Sequence, residues 1–245
     1  MIKKEYICND HGKYLAEPFI YRGKVKSIKP PCPICSENII KKKKEDVYQK
    51  KYIRFLEKIP LSNIPVKFSR LNFKDFDVTV SPSSENIYQT IFTYYKKFPK
   101  MMKRGTSLAL FGKPGTGKTH LSCTLLDRLL FDGLNVFYTT AFEMLSNIKS
   151  TYNKTSKKSE AKIMFDYCSH DLLVIDEIGA YENTQKDLGL LFDIIDRRYR
   201  NNKPNVVISN LMENEFKDYV GERAFDRIRD AGGVILAFNW ESYRK

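Results

Sequence analysis

Residues 107–119 read SLALFGKPGTGKT and join an apolar run to a glycine-rich segment and a following amphipathic stretch. The apolar run predicts a buried strand, and the residues from Lys118 to about Asp132 predict a helix. Between them stands the pattern G-x-x-x-x-G-K-[ST], whose glycines let backbone N–H groups and the helix N-terminus converge on one anion. The stretch therefore predicts an α/β fold built around a phosphate-binding loop.

The loop also supplies two side chains for a nucleoside triphosphate. We expect the Lys118 ammonium to meet the β- and γ-phosphates and the Thr119 hydroxyl to hold a Mg²⁺ that bridges them. The alternative is a plain glycine-rich turn between a strand and a helix. The predicted nucleotide-binding residues are Gly112, Lys113, Pro114, Gly115, Thr116, Gly117, Lys118, Thr119 and His120.

A second apolar run, DLLVIDEIG at 171–179, predicts a buried parallel strand that ends in two carboxylates. Ligands of open parallel sheets bind outside the carboxyl ends of the strands, so Asp176 and Glu177 should lie beside the phosphate loop. We expect Asp176 to act on Mg²⁺ and Glu177 to orient and deprotonate the attacking water. Asn210, after the predicted strand Asn205–Ser209, is either a further contact to the γ-phosphate or water, or a plain turn residue.

Charge and composition narrow the class of protein. The chain of 245 residues holds 42 Lys and Arg against 29 Asp and Glu, a net charge of +13, and residues 1–60 alone hold 15 against 7. This excess predicts a polyanionic partner, most often nucleic acid, although solubility is the simpler explanation. The N-terminus lacks an apolar segment of signal-peptide length and no run approaches a membrane span, so we expect a cytoplasmic protein without a membrane partner.

Four residues near the N-terminus have the spacing of a zinc site. Cys8 and His11 form one short knuckle, and Cys32 and Cys35 form another. Tetrahedral Zn²⁺ needs four sulfur or nitrogen ligands, and two such knuckles supply them. We predict that these four residues bind Zn²⁺, with four unrelated residues as the alternative.

A basic amphipathic helix should follow the knuckles. Residues 41–58 read KKKKEDVYQKKYIRFLEK, and Tyr48, Tyr52 and Phe55 repeat at helical spacing. Pro60 and Pro65 then mark a linker. We therefore predict two domains, a zinc-binding module with its helix at 1–60 and an ATPase domain at 61–245.

Near the C-terminus, Arg223 and Arg227 fall on one face of a predicted helix. An ion-paired surface helix explains them most simply. A role across a subunit boundary is the functional alternative.

Together, GKPGTGKTHL, DLLVIDEIG, VVISN, GERAFDRIR and FNWESYR resemble the DnaC/IstB-type AAA+ ATPases, above all DnaC-like helicase loaders, over about residues 66–245. The resemblance implies a doubly wound parallel sheet, ATP hydrolysis to ADP and phosphate, self-assembly with neighbouring subunits, contact with single-stranded DNA and delivery of a hexameric DnaB-type helicase. Zinc-bearing N-terminal modules of some loaders bind the helicase, which implies the same role for residues 1–60.

Carried over by motif, the resemblance makes Lys118 and Thr119 the Walker A pair, Asp176 and Glu177 the Walker B pair, and Asn210 the first sensor. Arg227 falls at the position of an arginine that acts on a neighbour's ATP, with Arg223 one turn earlier. The family's aromatic DNA contact falls on Tyr152, flanked by Lys149 and Lys154, and a core tyrosine is the alternative there. Arg244 is a weak candidate for the second sensor.

The sequence thus predicts an ATP-hydrolysing helicase loader. An IstB-like helper of a transposase shares the same motor and is the nearest alternative. A nucleotide or metabolite kinase would share only the phosphate loop. A zinc-binding adaptor protein is a further alternative. Its ATPase would act as a slow switch, and binding would be its function.

Overall fold

The computed structural model describes residues 3–17, 20–21, 24–25, 29–153 and 159–243. The chain forms two compact units, Met1–Ile53 and Arg54–Lys245. The division falls ahead of residue 60, where we predicted the boundary. The assignment of a separate function to each part stays a prediction.

A hairpin in the first unit precedes a long helix that begins in the same unit. Strands β1 (Lys4–Cys8) and β2 (Gly12–Ala16) pair antiparallel, so Cys8 lies opposite Gly12 at the turn. The short strands β3 (Ile20–Tyr21) and β4 (Lys24–Val25) form a second antiparallel pair. Helix α1 (Pro33–Lys58) begins with proline at its first position, where no backbone N–H is needed, and is longer than the predicted helix.

The second unit is built on five parallel strands, which confirms the predicted α/β fold. The strands lie in the order β6-β7-β8-β5-β9, so the strand before the phosphate loop, β5, is interior. Strand β7 pairs with β6 and β8, which brings its carboxyl end close to that of β5. The strands are β5 (Leu108–Gly112), β6 (Val136–Thr140), β7 (Leu172–Ile178), β8 (Asn205–Ser209) and β9 (Val234–Phe238).

Helices cover both faces of this sheet because its strands are apolar on both sides. Leu108 and Leu110 pack in one core, and Ala109 and Phe111 in the other. The helices are α2 (Pro82–Lys96), α3 (Phe98–Arg104), α4 (Lys118–Phe131), α5 (Ala141–Lys149), α6 (Glu160–Ser169), α7 (Gln185–Arg200), α8 (Glu213–Val220) and α9 (Glu222–Arg229).

A buried arginine connects several segments around the second core by hydrogen bonds. Arg198 of α7 is fully buried, and its guanidinium donates to the Asn205 side chain and to the backbone carbonyls of Tyr167, His170 and Pro204 at 2.6–2.9 Å. It also donates to the carbonyl of Cys168 at 3.3 Å. Because these acceptors are neutral, burial lowers the pKa of Arg198 to about 10.

Across the described part of the chain, no helix is both long enough and apolar enough to cross a membrane.

Candidate functional site

The phosphate loop requires glycine at two crowded positions. Gly112 has φ +127°, and a Cβ there would come within 2.3 Å of the Phe238 carbonyl oxygen. Gly117 has φ +95°, and its Cβ would meet the Phe76 ring at 2.7 Å. Both positions combine a left-handed backbone with close packing, so only glycine fits. The loop thus follows the curve that the sequence pattern predicts.

Lys118 lies at the start of α4 with its ammonium turned into the loop. Its Nζ donates to the carbonyl oxygens of Gly112 at 2.6 Å and Lys113 at 2.7 Å, and its side chain is buried. The Thr116 hydroxyl donates to the same Lys113 carbonyl at 2.8 Å. The positive charge therefore stands at the helix N-terminus, where both the ammonium and the helix dipole favour a bound phosphate.

A hydrogen bond joins the phosphate loop to the pair of carboxylates carried by β7. The Thr119 hydroxyl donates to Oδ2 of Asp176 at 2.7 Å, and the Tyr138 hydroxyl donates to the same oxygen at 2.9 Å. The backbone N–H of Glu177 donates to Oδ1 at 2.7 Å. Three donors thus hold the Asp176 carboxylate in one orientation. A hydroxyl and a carboxylate in contact are suitable oxygen donors for Mg²⁺, directly or through its waters.

Glu177 projects from an irregularity in the strand. The pairing of β7 with β8 shifts between Ile175 and Ile178, and Glu177 has φ +58°. Such a bulge re-aims a side chain and is common beside active sites. Partial burial, the Asp176 carboxylate and the Glu143 carboxylate raise the pKa of Glu177, which makes it a better proton acceptor than an ordinary glutamate.

A cavity of about 350 Å³ opens over the loop and both carboxylates. Asn210 lines it, and its contact to the γ-phosphate or water stays a prediction, whereas Gly112, Lys113 and Thr116 shape the loop from outside the lining. One wall comes from a segment that we did not associate with the site. The lining residues are Lys67, Phe68, Asp75, Phe76, Asp77, Pro114, Gly115, Gly117, Lys118, Thr119, His120, Asp176, Glu177, Asn210 and Tyr243.

The segment Glu241–Tyr243 crosses the mouth of the phosphate loop, and we call it the C-terminal strap. The backbone N–H of Tyr243 donates to the Gly115 carbonyl at 2.9 Å, and its hydroxyl donates to the Asp77 carbonyl at 2.8 Å. Its ring packs edge-on against Phe76, with 6.0 Å between ring centroids. Glu241 pairs with Lys113 at 2.7 Å. The strap thus joins the loop to the wall formed by residues 67–77.

The two arginines lie away from this cavity. Arg227 donates through Nε to Asp196 at 3.0 Å and lies 4.6 Å from the centre of the Tyr199 ring. Arg223 lies 5.9 Å from the Phe192 ring. Of the described residues that line the nucleotide cavity, none is an arginine. Arg227 is ion-paired in this subunit, and the predicted role in a neighbour's site stays a prediction.

The four predicted zinc ligands come together in the first unit. Cys8 Sγ lies 3.6 Å from Cys35 Sγ, and the three sulfurs lie 3.3–3.8 Å from Nδ1 of His11. A tetrahedral Zn²⁺ with bonds of about 2.3 Å to sulfur and about 2.0–2.1 Å to nitrogen would separate its ligands by roughly 3.5–3.8 Å. Cys32 completes the set, and all four ligand atoms lie within 4.8 Å of one another. The donor set and its spacing therefore fit Zn²⁺.

The residues predicted to contact DNA are partly described. Tyr152 ends a short 3-10 helix, Ser150–Tyr152, and is 45% exposed, which excludes the core tyrosine. Lys149 is ion-paired with Asp187 at 3.0 Å. Lys186, which we did not predict, places Nζ 4.3 Å from the Tyr152 ring centre. Lys154 lies outside the described residues, as does Arg244.

Sequence reasoning missed Tyr138, Phe76 and Tyr243 in the nucleotide site. Tyr138 faces Asp176 because β6 pairs with β7, a neighbour relation that no local pattern shows. The only signal for it was an aromatic hydroxyl near the end of a predicted strand. Phe76 and Tyr243 come from segments without a regular period, so their convergence on the loop needed the tertiary structure.

The fold and the site together define a class, the P-loop ATP-binding proteins with a parallel α/β sheet. The chain belongs to the IstB-like ATP binding protein family, whose model matches residues 46–245. The Cys and His cluster lies outside this match.

Curated relatives agree with this family. The replicative helicase loader DnaC of Buchnera aphidicola (subsp. Baizongia pistaciae) is 37% identical over 152 residues, which are 62% of this chain and 61% of the relative. DnaC of Escherichia coli K12 is 36% identical over 138 residues, 56% of either chain. The matched region therefore spans about three fifths of these relatives' length.

Solved structures confirm the fold. A crystal structure of the DnaC helicase loader matches with a TM-score of 0.62 at 20% identity, covering 71% of this chain and 99% of that one. DnaI matches with a TM-score of 0.61 at 17% identity, covering 74% and 95%. The five-stranded sheet with its helices is thus an AAA+ fold, as the sequence predicts.

Proposed function

We propose that the chain hydrolyses ATP to ADP and phosphate. The contact between Thr119 and Asp176 supports this most directly, because it joins the phosphate-binding loop to the acidic residue next to Glu177. Lys118 would bind the β- and γ-phosphates. Mg²⁺ held by Thr119 and Asp176 would neutralise phosphate charge.

In the proposed reaction, Glu177 accepts a proton from water as the water oxygen bonds to the γ-phosphorus and the bond to the ADP oxygen breaks. The raised pKa of Glu177 suits this role. Asn210, at the edge of the cavity, would orient the water or the γ-phosphate. Production of ADP and free phosphate, rather than a phosphorylated small molecule, distinguishes this reaction from that of a kinase.

Two variants test the division of roles. Lys118→Ala should lose ATP binding or turnover, whereas Glu177→Gln should keep ATP bound and lose hydrolysis, since one residue meets phosphate and the other serves water. Equilibrium binding of ATP and single-turnover hydrolysis measure the two steps separately. Equal loss of affinity in both variants would contradict the assignment.

We further propose that Arg227 acts on the ATP of a neighbouring subunit. An arginine supplied from outside a phosphoryl-transfer site contributes about 10³–10⁵ in rate. Arg227→Ala should bind ATP normally and lose assembly-dependent hydrolysis. Mixed with Lys118→Ala, it should regain activity, because one protein keeps a working site and the other a working arginine. An inactive mixture in proven co-assemblies would reject Arg227 and turn attention to Arg223.

For the cellular role we propose an ATP-dependent loader of a hexameric DnaB-type helicase onto single-stranded DNA. The relatives named as replicative helicase loaders support it, as does the basic N-terminal part. The decisive experiment mixes the protein with the replicative helicase of its own cell or phage, with and without ATP, and measures complex formation and helicase transfer to DNA. The IstB-like match keeps a transposase helper as the alternative, which would bind a transposase in the same experiment.

Zinc binding by the N-terminal cluster belongs to this proposal. The ligands Cys8, His11, Cys32 and Cys35 would supply much of the folding free energy of a small polar module. Elemental analysis of reduced protein should find one zinc per chain, and a chelator should unfold residues 1–53 but not the ATPase domain. If the helicase complex survives deletion of residues 1–53, which leaves Phe55 in the core of the second unit, the docking role of this module is wrong.

Contact with single-stranded DNA is the last part of the proposal. Tyr152 is exposed beside Lys186, and base stacking on an aromatic ring contributes about 1–3 kcal/mol. Tyr152→Ala should weaken binding without changing its salt dependence, whereas Lys154→Ala should reduce that dependence. Fluorescence anisotropy over a range of salt concentrations checks both, and unchanged affinity in the two variants would place the DNA site elsewhere.

A further inference from the structure

Three exposed aromatic rings lie along α5 and the segment that enters α7. Phe142 is 58% exposed, Tyr181 is 54% exposed and Tyr152 is 45% exposed. We call these three residues the aromatic strip. Contiguous exposed apolar surface marks interaction sites, and aromatic residues are enriched there. The nucleotide cavity uses none of the three.

Phe142 and Tyr181 form a pair at one end of the strip. Their ring centroids lie 5.3 Å apart, and the ring planes are tilted by 41°. The backbone beneath Tyr181 is braced, because the Tyr219 hydroxyl donates to the Tyr181 carbonyl at 3.1 Å and the Asn183 amide donates to that hydroxyl. Phe142 lies in the first turn of α5. Both rings are therefore presented by ordered backbone, which lowers the entropy lost on binding.

Tyr152 stands at the other end, and the same two elements are joined there. Lys149 of α5 pairs with Asp187 at 3.0 Å, and the Asp187 carboxylate accepts hydrogen bonds from Thr184 at the start of α7. Lys186 lies over the Tyr152 ring. From Phe142 to Tyr152 the rise of α5 and the short 3-10 helix amounts to about 16 Å.

The charges along the strip differ between its two ends. Lys186 supplies a cation at the Tyr152 end. Glu143 and Glu182 flank the other pair in sequence, so that end repels phosphate but tolerates an uncharged base. Exposed aromatic rings together with a basic side chain are the composition of a surface that binds single-stranded nucleic acid.

We propose that Phe142 and Tyr181 form a second stacking platform for single-stranded nucleic acid. A base rests on this pair while another base of the same strand stacks on Tyr152. At about 3.4 Å per stacked nucleotide, a rise of about 16 Å along the helix corresponds to about five nucleotides. The proposal rests on the proposed DNA contact at Tyr152 and extends it toward the carboxyl ends of the sheet strands.

The experiment uses the full-length protein with ATP and labelled oligothymidylates of increasing length, measured by anisotropy. On a long oligonucleotide, Phe142→Ala with Tyr181→Ala should weaken binding by about 5-fold to 150-fold, the loss of one stacked base. The loss should vanish for oligonucleotides too short to reach from Tyr152. The slope of affinity against salt should not change, because no phosphate contact is removed.

Two controls keep the result specific. Phe165→Ala removes another exposed ring, which lies 5.4 Å from a lysine ammonium but belongs to α6, and should leave DNA affinity unchanged. The double variant Phe142→Leu with Tyr181→Leu keeps apolar volume but removes both rings, and should bind like the alanine variant. Thermal unfolding should show that all variants remain folded, since every substituted side chain is exposed.

The outcomes separate this proposal from the one on which it rests. If Tyr152→Ala weakens binding and the double variant does not, the second platform is wrong and the first contact stands. If wild-type protein binds no single strand, both proposals fail. If the double variant assembles poorly with ATP but the fraction that does assemble binds DNA normally, the pair is a contact between subunits. That result overturns the platform.

Discussion

Tyr138→Phe tests how the structure positions Asp176, the carboxylate that we propose holds Mg²⁺. The Tyr138 hydroxyl is one of three donors to Asp176, and it shares Oδ2 with Thr119. Burial and the Asp176 charge raise the pKa of Tyr138, so the hydroxyl remains a donor at every physiological pH. Phenylalanine keeps the ring in place and removes only the oxygen.

The expected loss follows from the charge of the acceptor. A hydrogen bond to an ionised group contributes about 1.5–3 kcal/mol net, which corresponds to about 10-fold to 150-fold in an equilibrium constant. Outer partners of metal ligands affect metal affinity by about 10–100-fold. Because Thr119 and the Glu177 backbone still hold Asp176, we expect about a 10-fold rise in the Mg²⁺ concentration for half-maximal ATP hydrolysis.

The assay titrates Mg²⁺ at fixed ATP for the wild type, Tyr138→Phe and Tyr94→Phe. Tyr94 is the matched control, because its buried hydroxyl donates to the Thr106 carbonyl at 2.7 Å, away from the nucleotide site. Both variants lose stability, but only Tyr138→Phe should change the Mg²⁺ requirement. A midpoint within about twofold of the wild type, in a folded Tyr138→Phe protein, would refute this account of Asp176.

Three further predictions concern stability and the C-terminal strap. Arg198→Lys should lower the free energy of unfolding in urea by about 3–5 kcal/mol, because three ammonium donors cannot satisfy five acceptors around a buried charge. A decrease below about 1 kcal/mol would exclude this role of Arg198. Burial raises the pKa of Asp127 to about 6, so the folded wild type loses stability as this carboxyl ionises. Asp127→Asn should therefore become more stable relative to the wild type as pH rises from 4 to 8. A difference in unfolding free energy between the two proteins that stays constant over this range would contradict the burial. Tyr243→Ala should release a fluorescent ATP analogue several-fold faster than Tyr243→Phe, which keeps the ring against Phe76, and equal rates would show that the strap does not retain nucleotide.

The sequence predicts those parts of the site that a continuous segment encodes. The strand, loop and helix around Gly112–Thr119 form one local unit, and the apolar run before Asp176 determines which strand end carries the carboxylate. The capping pair of Thr184 and Asp187 at the start of α7 is likewise local. These features depend on residues three to eight apart, so spacing alone reveals them.

Other parts depend on which strands become neighbours. The position of Glu177 follows from a bulge between β7 and β8, and the third donor to Asp176 comes from β6. The aromatic wall at Phe76 lies in an irregular segment that has no period to read. Long-range pairing and irregular loops leave weak local patterns, so the wall of the cavity formed by residues 67–77 could not be predicted.

We proposed that Arg227 acts on a neighbour's ATP, and on that proposal an isolated subunit would be a slow ATPase. Arg227 pairs with a partly buried Asp196 at the surface, and surface ion pairs contribute about 0–1 kcal/mol. An arginine that reaches a transferring phosphoryl group contributes about 10³–10⁵ in rate, or about 4–7 kcal/mol of transition-state stabilisation. In the transition state, the proposed contact would therefore outweigh the ion pair by several kcal/mol. The pair with Asp196 orders the guanidinium in the single subunit and is weak enough to be exchanged for the proposed contact.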